Sequence, residues 1–468
     1  MFTIFRPEFD DYARATIAEQ QRMYDGGLSA EELAETQLAR IAETVDYVAA
    51  HSPFYREHLR GTTFSSARGI EALAELPFTT KDDLRERLFD LPAKPLDKAW
   101  VFYETTGTTG RATPCPRDEY DSIVNNVALT LSYRGIFAQH GDRHVVAVLG
   151  PTELHSTGDT FGDVLRNLGH TVVKMWPHSP VVGFPRALRL LEELGVTAIV
   201  CTPGMAISLA KAAREEGVDL RARLGIRLMF ALGELASPAM LERLGELWDA
   251  SVYNCMYASQ EASIMATCHA DGHLRTVPLT NYYEVIDPWT GLPAPAVDGL
   301  RTGELVVTSL YRGAKPLVRY RTGDMVRMRS EAGSILETLQ PIGRVRDTLL
   351  LGGRRIVAFD LEQLLFTHIR GVIDYRLVID TVDGQDRVTL QLDPVDEVAA
   401  RRLDGPAIRA VVADSFGVRC DIELGPVDAI TSTGAMVSWK AARIHDLRVA
   451  DDLERLAALK IAAGRDAR

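Results

Sequence analysis

Short apolar runs alternate with amphipathic stretches from about Arg143 onward. The runs are "HVVAVLG", "HTVVKMW", "VTAIVCTP", "IRLMFALGE" and "SVYNCMYAS". Strands covered on both faces carry such unbroken Val/Ile/Leu text. Between them lie "FPRALRLLEELG", "MAISLAKAAREEG" and "SPAMLERLGELWD", whose apolar residues recur at three- and four-residue intervals. The alternation predicts a mainly parallel sheet with crossover helices. Ligands on such sheets gather beyond the carboxyl ends of the strands. Upstream, "LSAEELAETQLARIAETVDYVAAHSPFY" places Ser29 and Glu32 at capping-box spacing, and Leu38, Ile41, Val45 and Val48 follow on one helical face. "LPFTTKDDLRERL" predicts a second helix capped by Thr80 or Thr79.

Near "DPWTGLPAPAVDGLRTGELVVTSLYRGAKPLVRYRTGDMVRM" the chain turns β-rich and is punctuated by Pro and Gly. After "GRVRDTLLLGGRRI" a further unit reads helix ("VAFDLEQLLFTHI"), hairpin ("YRLVIDTVDGQDRVTLQLD") and helix ("DGPAIRAVVADSFG"). The expected fold is of the α/β class. A large N-terminal domain, residues 1–345, holds mainly parallel sheets with crossover helices and a β-rich subdomain. A small α+β C-terminal domain spans 346–468.

The chain of 468 residues carries a formal net charge of −12, which disfavours a sequence-neutral grip on nucleic acid. No apolar run spans a bilayer and the first residues lack a secretory pattern, so neither a membrane nor export is expected. Five scattered cysteines, Cys115, Cys201, Cys255, Cys268 and Cys420, fit a reducing cytoplasm better than a disulfide framework.

Chemistry gathers in a few stretches. "YETTGTTGRAT" sets Thr105, Thr106, Thr108 and Thr109 around Gly107 and Gly110, with Arg111 behind. Bare backbone amides, hydroxyls and one guanidinium can hold phosphate oxygens; a polar turn is the alternative. In "MYASQEAS", Tyr257 can stack on a base and Glu261 can hold a magnesium ion, or both simply belong to a loop. In "VRYRTGDM", Asp324 follows Gly323 and can accept ribose hydroxyls, or cap its own turn. Arg344 and the glycine pair of "IGRVRDTLLLGGRRI" mark a hinge. "STGAMVSWKAARIHDL" offers Lys440 and Arg443 on a basic face.

In this order the motifs resemble the adenylate-forming superfamily of acyl-CoA synthetases, adenylation domains and luciferases. The segments "VAAHSPFYREHL", "LAELPFTTKDDLRERL", "TTGTTGRAT" and "GVTAIVCTPGMAISLAKAAREEG" are most similar to its phenylacetate–CoA ligase branch. The resemblance implies that Thr105 to Arg111 form the phosphate loop. It sets Gly233, Glu234 and Leu235 at adenine. Tyr257 would stack there, within the motif Tyr257-Ala258-Ser259-Gln260-Glu261. Glu261 would hold Mg²⁺, Asp324 and Arg344 the ribose, and Arg346 the hinge of a mobile C-terminal domain. Lys440 would be the mobile catalytic lysine, acting with Arg111 and Glu261. Three positions depart from the family pattern: Arg111-Ala112 replaces Lys-Pro, Gln260 replaces a threonine, and Trp439 replaces a glycine.

The implied reaction joins ATP and a carboxylic acid into an acyl-adenylate, releases pyrophosphate, and passes the acyl group to coenzyme A. A substituted aryl acid is expected. "LGPTELHSTGDTFGD" matches a family stretch lining the acyl pocket, with His155 facing the acid and Gly204 beside it. Glu153 in the same stretch is read as a helix cap or a solvated side chain. An amine or a carrier-protein thiol are the competing acceptors, and a non-catalytic nucleotide-binding protein is the competing class. A homodimer stays open. Cys268, His269 and His273 resemble half of a zinc site; Cys255 would be a third ligand, but "RSEAGSILETLQP" supplies none, so zinc is not expected.

Overall fold

The computed structural model describes residues 6–62, 64–105, 112–427, 442–449, 455–456 and 458–460. They form two compact units. No helix among them is long and apolar enough to cross a membrane.

One unit takes the described residues of Met1–Asp142, Pro151–His170 and Cys255–Pro341. The helix Ala30–His51 begins as its sequence predicts. Ser29 Oγ accepts the Glu32 N–H at 3.1 Å and Glu32 Oε2 accepts the Ser29 N–H at 2.9 Å. Leu33, Ile41, Val45 and Val48 bury its apolar face. Ser29→Ala is expected to lower stability by about 1 kcal/mol, read as a shifted urea midpoint with unchanged slope. Thr80 and Asp83 form a second capping box before Lys81–Glu86. Thr79, the alternative cap, is instead buried between the Tyr55 hydroxyl and the Val318 carbonyl. The helix Glu119–His140 was not legible as a periodic pattern. Ile123 to Leu129 are buried without a break, a full circuit of the helix, so its first half carries no polar stripe. Against it lies an antiparallel sheet. Its strands run in the spatial order Asn281–Ile286, Leu300–Ser309, Tyr320–Arg329, Thr338–Arg344, Leu274–Thr276, Ser263–Cys268 and Met256–Ser259.

The other unit takes the described residues of Arg143–Gly150, Thr171–Asn254 and Ile342–Arg468. Its parallel sheet has the order Thr171–Lys174, Val145–Val148, Ala198–Cys201, Leu228–Ala231 and Ser251–Asn254. Gly183–Glu193, Pro203–Glu215 and Pro238–Trp248 are the crossover helices, as the alternating text predicts. The later segment places the helix Ala358–His368 before the hairpin Val372–Val382/Gln385–Pro394. Asp383 (φ 51°) and Gly384 (φ 76°) turn that hairpin, as an Asp-Gly pair between twisted strands should. Arg419–Leu424 and Ile444–Asp446 flank it in parallel register.

One expectation needs correction. "SVYNCMYAS" is two strands rather than one. Ser251–Asn254 closes the parallel sheet, while Met256–Ser259 pairs antiparallel with Ser263–Cys268 in the other unit. An apolar run reports burial, not the identity of the strand that pairs with it.

Candidate active site

The two strands Val101–Glu104 and Pro114–Arg117 pair antiparallel, and the threonine-glycine loop joins their ends. The Thr105 N–H donates to the Thr113 carbonyl at 3.1 Å, and Thr105 Oγ1 accepts the Thr113 N–H at 2.9 Å. Thr105 thus closes the neck of the loop. Thr106, Gly107, Thr108, Thr109, Gly110 and Arg111 lie outside the described residues, as do Trp439 and Lys440.

In the same unit, Glu261 is buried and doubly held. Its Oε1 accepts the Tyr320 hydroxyl at 3.0 Å and pairs with Lys81 Nζ at 3.2 Å. Burial works against its charge. Lys81, its own backbone, Lys315 and the Tyr320 hydroxyl outweigh that and hold the carboxyl at about 2. The result is a carboxylate that stays ionised in a mostly dry site. Tyr257 donates its hydroxyl to Asp324 Oδ2 at 2.8 Å, so two residues expected around adenosine meet. Asp324 sits just past Gly323, whose φ of 75° makes the turn, and the Asp324 N–H donates to Thr322 Oγ1 at 3.1 Å. Ala258 and Ser259 complete this strand, and Ser259 Oγ accepts the Ala262 N–H at 3.0 Å.

Gln260 lines a small pocket with Glu261, Arg117 and Lys315. Its Oε1 is buried without a partner among the described residues, and so is Arg117 Nε. Arg117 lies 5.2 Å from the Tyr103 ring centroid, and its Nη2 donates to the Gln260 carbonyl at 3.5 Å. Buried polar groups cost free energy unless something bonds them, so this pocket is built for a polar occupant. His155 is half-buried. Burial, then the nearby Arg117 charge, lowers its imidazole to about 4, leaving a neutral ring. Its Nδ1 accepts from the Thr157 N–H and hydroxyl at the start of the helix Thr157–Asn167.

In the other unit, Gly204 and Glu234 come together: the Gly204 N–H donates to Glu234 Oε2 at 2.9 Å. Gly204 stands in the first turn of Pro203–Glu215, at the carboxyl end of Ala198–Cys201, where a parallel sheet opens to ligands. Burial raises the Glu234 carboxyl, against the Arg443 charge and the Gly204 N–H. Gly233 (φ 77°) makes the turn before it, and Leu235 is half-buried after it. Arg344 ends the strand Thr338–Arg344, and Arg346 follows in a short 3₁₀ turn with its Nε 3.8 Å from Asp347 Oδ1.

Cys255 and Cys268 are buried thiols, the Cys268 N–H donates to the Cys255 carbonyl at 2.9 Å, and burial pushes Cys255 up to about 12. The half-buried His269, whose imidazole desolvation lowers to about 4, follows Cys268 in the chain. Sequence reading missed Lys81, Tyr320 and Arg117. A lone lysine in the first turn of a helix, or a tyrosine before a turn, carries no local sign of its partner 180 residues away.

A family model described as "AMP-binding enzyme" matches residues 27–311. The phenylacetate–coenzyme A ligase of Thermus thermophilus is 29% identical over 384 residues, covering 78% of this chain and 82% of that protein. Its counterpart in Escherichia coli is 26% identical over 458 residues, covering 90% and 96%. Among solved structures, 2-hydroxyisobutyryl-CoA ligase in complex with 2-HIB-AMP superposes with a TM-score of 0.74 over 93% of both chains at 22% identity. That likeness is one of fold.

Proposed function

The chain belongs to the AMP-binding enzyme family, and from that premise we propose that it is an AMP-forming acid–thiol ligase acting on a substituted aryl acid. The acid's carboxylate oxygen attacks the α-phosphorus of ATP, the bond to the β-phosphate oxygen breaks, and pyrophosphate leaves. The sulfur of coenzyme A then attacks the acyl carbon, and AMP departs with the carboxylate oxygen.

One observation carries this reading: in a single unit, an ionised buried Glu261 and a Tyr257–Asp324 pair stand on adjoining strand and turn, as an ATP-dependent site needs. Joining two anions is chiefly a matter of orientation and charge compensation. Glu261 fits a hard cation, because Mg²⁺ is commonly bound by one or two carboxylates together with substrate phosphates. Such an ion, when bound, neutralises phosphate charge. A carboxylate accepts several hydrogen bonds, so the Tyr257 contact is compatible with Asp324 also taking a ribose hydroxyl. Thr105 closes the phosphate loop and Gln260 offers its terminal amide to a phosphate oxygen. The neutral His155 ring and Arg117 face the acid. Lys440 supplies the mobile ammonium, on a C-terminal domain of 346–468 that turns at Arg346. The phenylacetate–coenzyme A ligase relatives support the aryl acid and the thiol acceptor.

The test is pyrophosphate release across a panel of aryl acids, each with coenzyme A, with small amines, or with neither. An aryl acid that releases pyrophosphate and yields a thioester is the expected result. An acid that turns over only with an amine replaces the thiol acceptor, and silence with every acid in the presence of ATP and Mg²⁺ removes the reading.

A further inference from the structure

Two buried cations in the unit that holds Glu261 face no carboxylate. Arg117 ends the strand Pro114–Arg117, all four of whose residues are buried. The strand register sets Tyr103 opposite Cys115, so Tyr103, Cys115 and Arg117 share one face of the hairpin. Lys315 comes from the loop between Leu300–Ser309 and Tyr320–Arg329. Its Nζ donates to the Pro114 carbonyl at 2.8 Å and lies 3.5 Å from Cys115 Sγ. Arg117 is 9% exposed and Lys315 7%. Both line the small pocket beside Gln260 and Glu261. Among the described residues their hydrogen-bond partners are backbone carbonyls and one thiol, never a carboxylate.

The two acids of the same lining are already answered. Glu261 Oε1 takes the Tyr320 hydroxyl and Lys81 Nζ. Asp121 Oδ2 accepts the Asp118 N–H and the Ala314 N–H, each at 2.9 Å, and burial together with the neighbouring Asp118 charge raises its carboxyl. Arg117 Nε has no partner among the described residues, and Arg117 Nη2 makes only the 3.5 Å contact to the Gln260 carbonyl.

A guanidinium keeps its charge in a protein. Burying that charge with nothing opposite is strongly unfavourable, and an anion arriving in the pocket removes the penalty. The planar fork of arginine matches a carboxylate with two parallel hydrogen bonds. A neutral hydroxyl would suit the orphaned Gln260 Oε1 but would leave both cations unanswered.

The surroundings of Arg117 point to the acid as the source of that anion. Its guanidinium lies 5.2 Å from the Tyr103 ring centroid, and the Tyr103 hydroxyl donates to Asp159 Oδ2 at 3.0 Å. Asp159 and His155 belong to the stretch read as lining the acyl pocket, and the Arg117 charge reaches the His155 ring.

We propose that Arg117, seconded by Lys315, is a specificity residue that reads a second carboxylate on the acid. The substrate is then an aryl dicarboxylic acid: one carboxylate is adenylated while the other stays in the cationic pocket. This rests on the reading of the chain as an aryl-acid ligase.

The test compares phenylacetic acid with its ring-hydroxy and ring-carboxy derivatives, each substituent at the ortho, meta and para positions. The readout is pyrophosphate release by the full chain with ATP and Mg²⁺. In wild type, one carboxy derivative is expected to exceed the parent and every hydroxy derivative in kcat/KM by about 10–100-fold, the range set by a charge-assisted hydrogen bond. Arg117→Met should erase that ratio, chiefly through the KM for the acid, with the KM for ATP near wild type. Arg117→Lys, which keeps the charge without the fork, should retain part of the ratio. A wild type that prefers the parent or a hydroxy derivative overturns the proposal with no variant needed, so the test survives a variant that fails to fold. An Arg117→Met enzyme whose KM for ATP rises equally with every acid also overturns it and gives the anion site to a nucleotide phosphate. Monoacid turnover without a preference for diacids leaves the ligase reading standing and removes only the second carboxylate. No pyrophosphate from any acid removes both.

Discussion

Lys440→Ala is expected to lower acid-dependent pyrophosphate exchange by about 10²–10³-fold, the usual effect of removing one preorganised charge donor. Thioester formation from a supplied acyl-adenylate should persist. The asymmetry follows from charge. In the first step a carboxylate approaches a polyphosphate, and negative charge builds on the α-phosphate and on departing pyrophosphate. An ammonium aimed there is worth most at the transition state. In the second step the phosphate of departing AMP gains a single negative charge, less than accumulates between the α-phosphate and pyrophosphate in the first, and the ammonium has correspondingly less to compensate. Single-turnover measurement of each half-reaction checks the split. An exchange rate near wild type in the variant removes Lys440 from the chemistry, whatever its effect on overall turnover.

Glu261→Gln is the second large effect. The amide keeps the shape and a hydrogen-bond acceptor for Tyr320 but removes the charge that faces Lys81. The expected result is a loss of about 10²-fold in pyrophosphate release, with a rightward shift in its Mg²⁺ dependence, read by titrating the metal at fixed ATP. An unchanged Mg²⁺ curve counts against the metal role. Stability gives an independent reading. The Glu261 carboxyl is held at about 2, below its unfolded value of about 4.3. A depressed carboxyl stabilises the fold fully above the unfolded value, and that contribution is lost as pH falls through the folded value. The variant should therefore melt earlier than wild type at pH 7, and the gap should narrow from about pH 4 downward. Since Glu261 does not titrate near neutrality, any acid limb of the rate profile above pH 5 belongs to another group.

Much of the architecture was legible because it is local. Capping boxes at Ser29 and Thr80 are read three residues apart, and both form. The crossover helices and the strands between them announce themselves through period and length. The Asp383-Gly384 turn follows from its two residue types. The helix Glu119–His140 escaped because unbroken burial from Ile123 to Leu129 erases the stripe over its first half.

The site divides in the same way. Tyr257, Glu261 and Asp324 were chosen from motif context, and the Tyr257–Asp324 hydrogen bond places two of them together. Lys81 and Tyr320, which set the charge state of Glu261, carry no motif at all. Neither do Lys211, Asp374 and Arg443, although the text around Arg443 reads as a basic face. Arg443 is buried instead, and Asp374 pairs with both it and Lys211. Local text reports which hydroxyls, glycines and carboxylates a loop contains, because turn and cap chemistry act over a few bonds. It is silent about which cation will face which carboxylate across a hundred or more residues. Those pairings arise only when strands and helices pack, and burial then turns a charge that water would screen into one that must be answered.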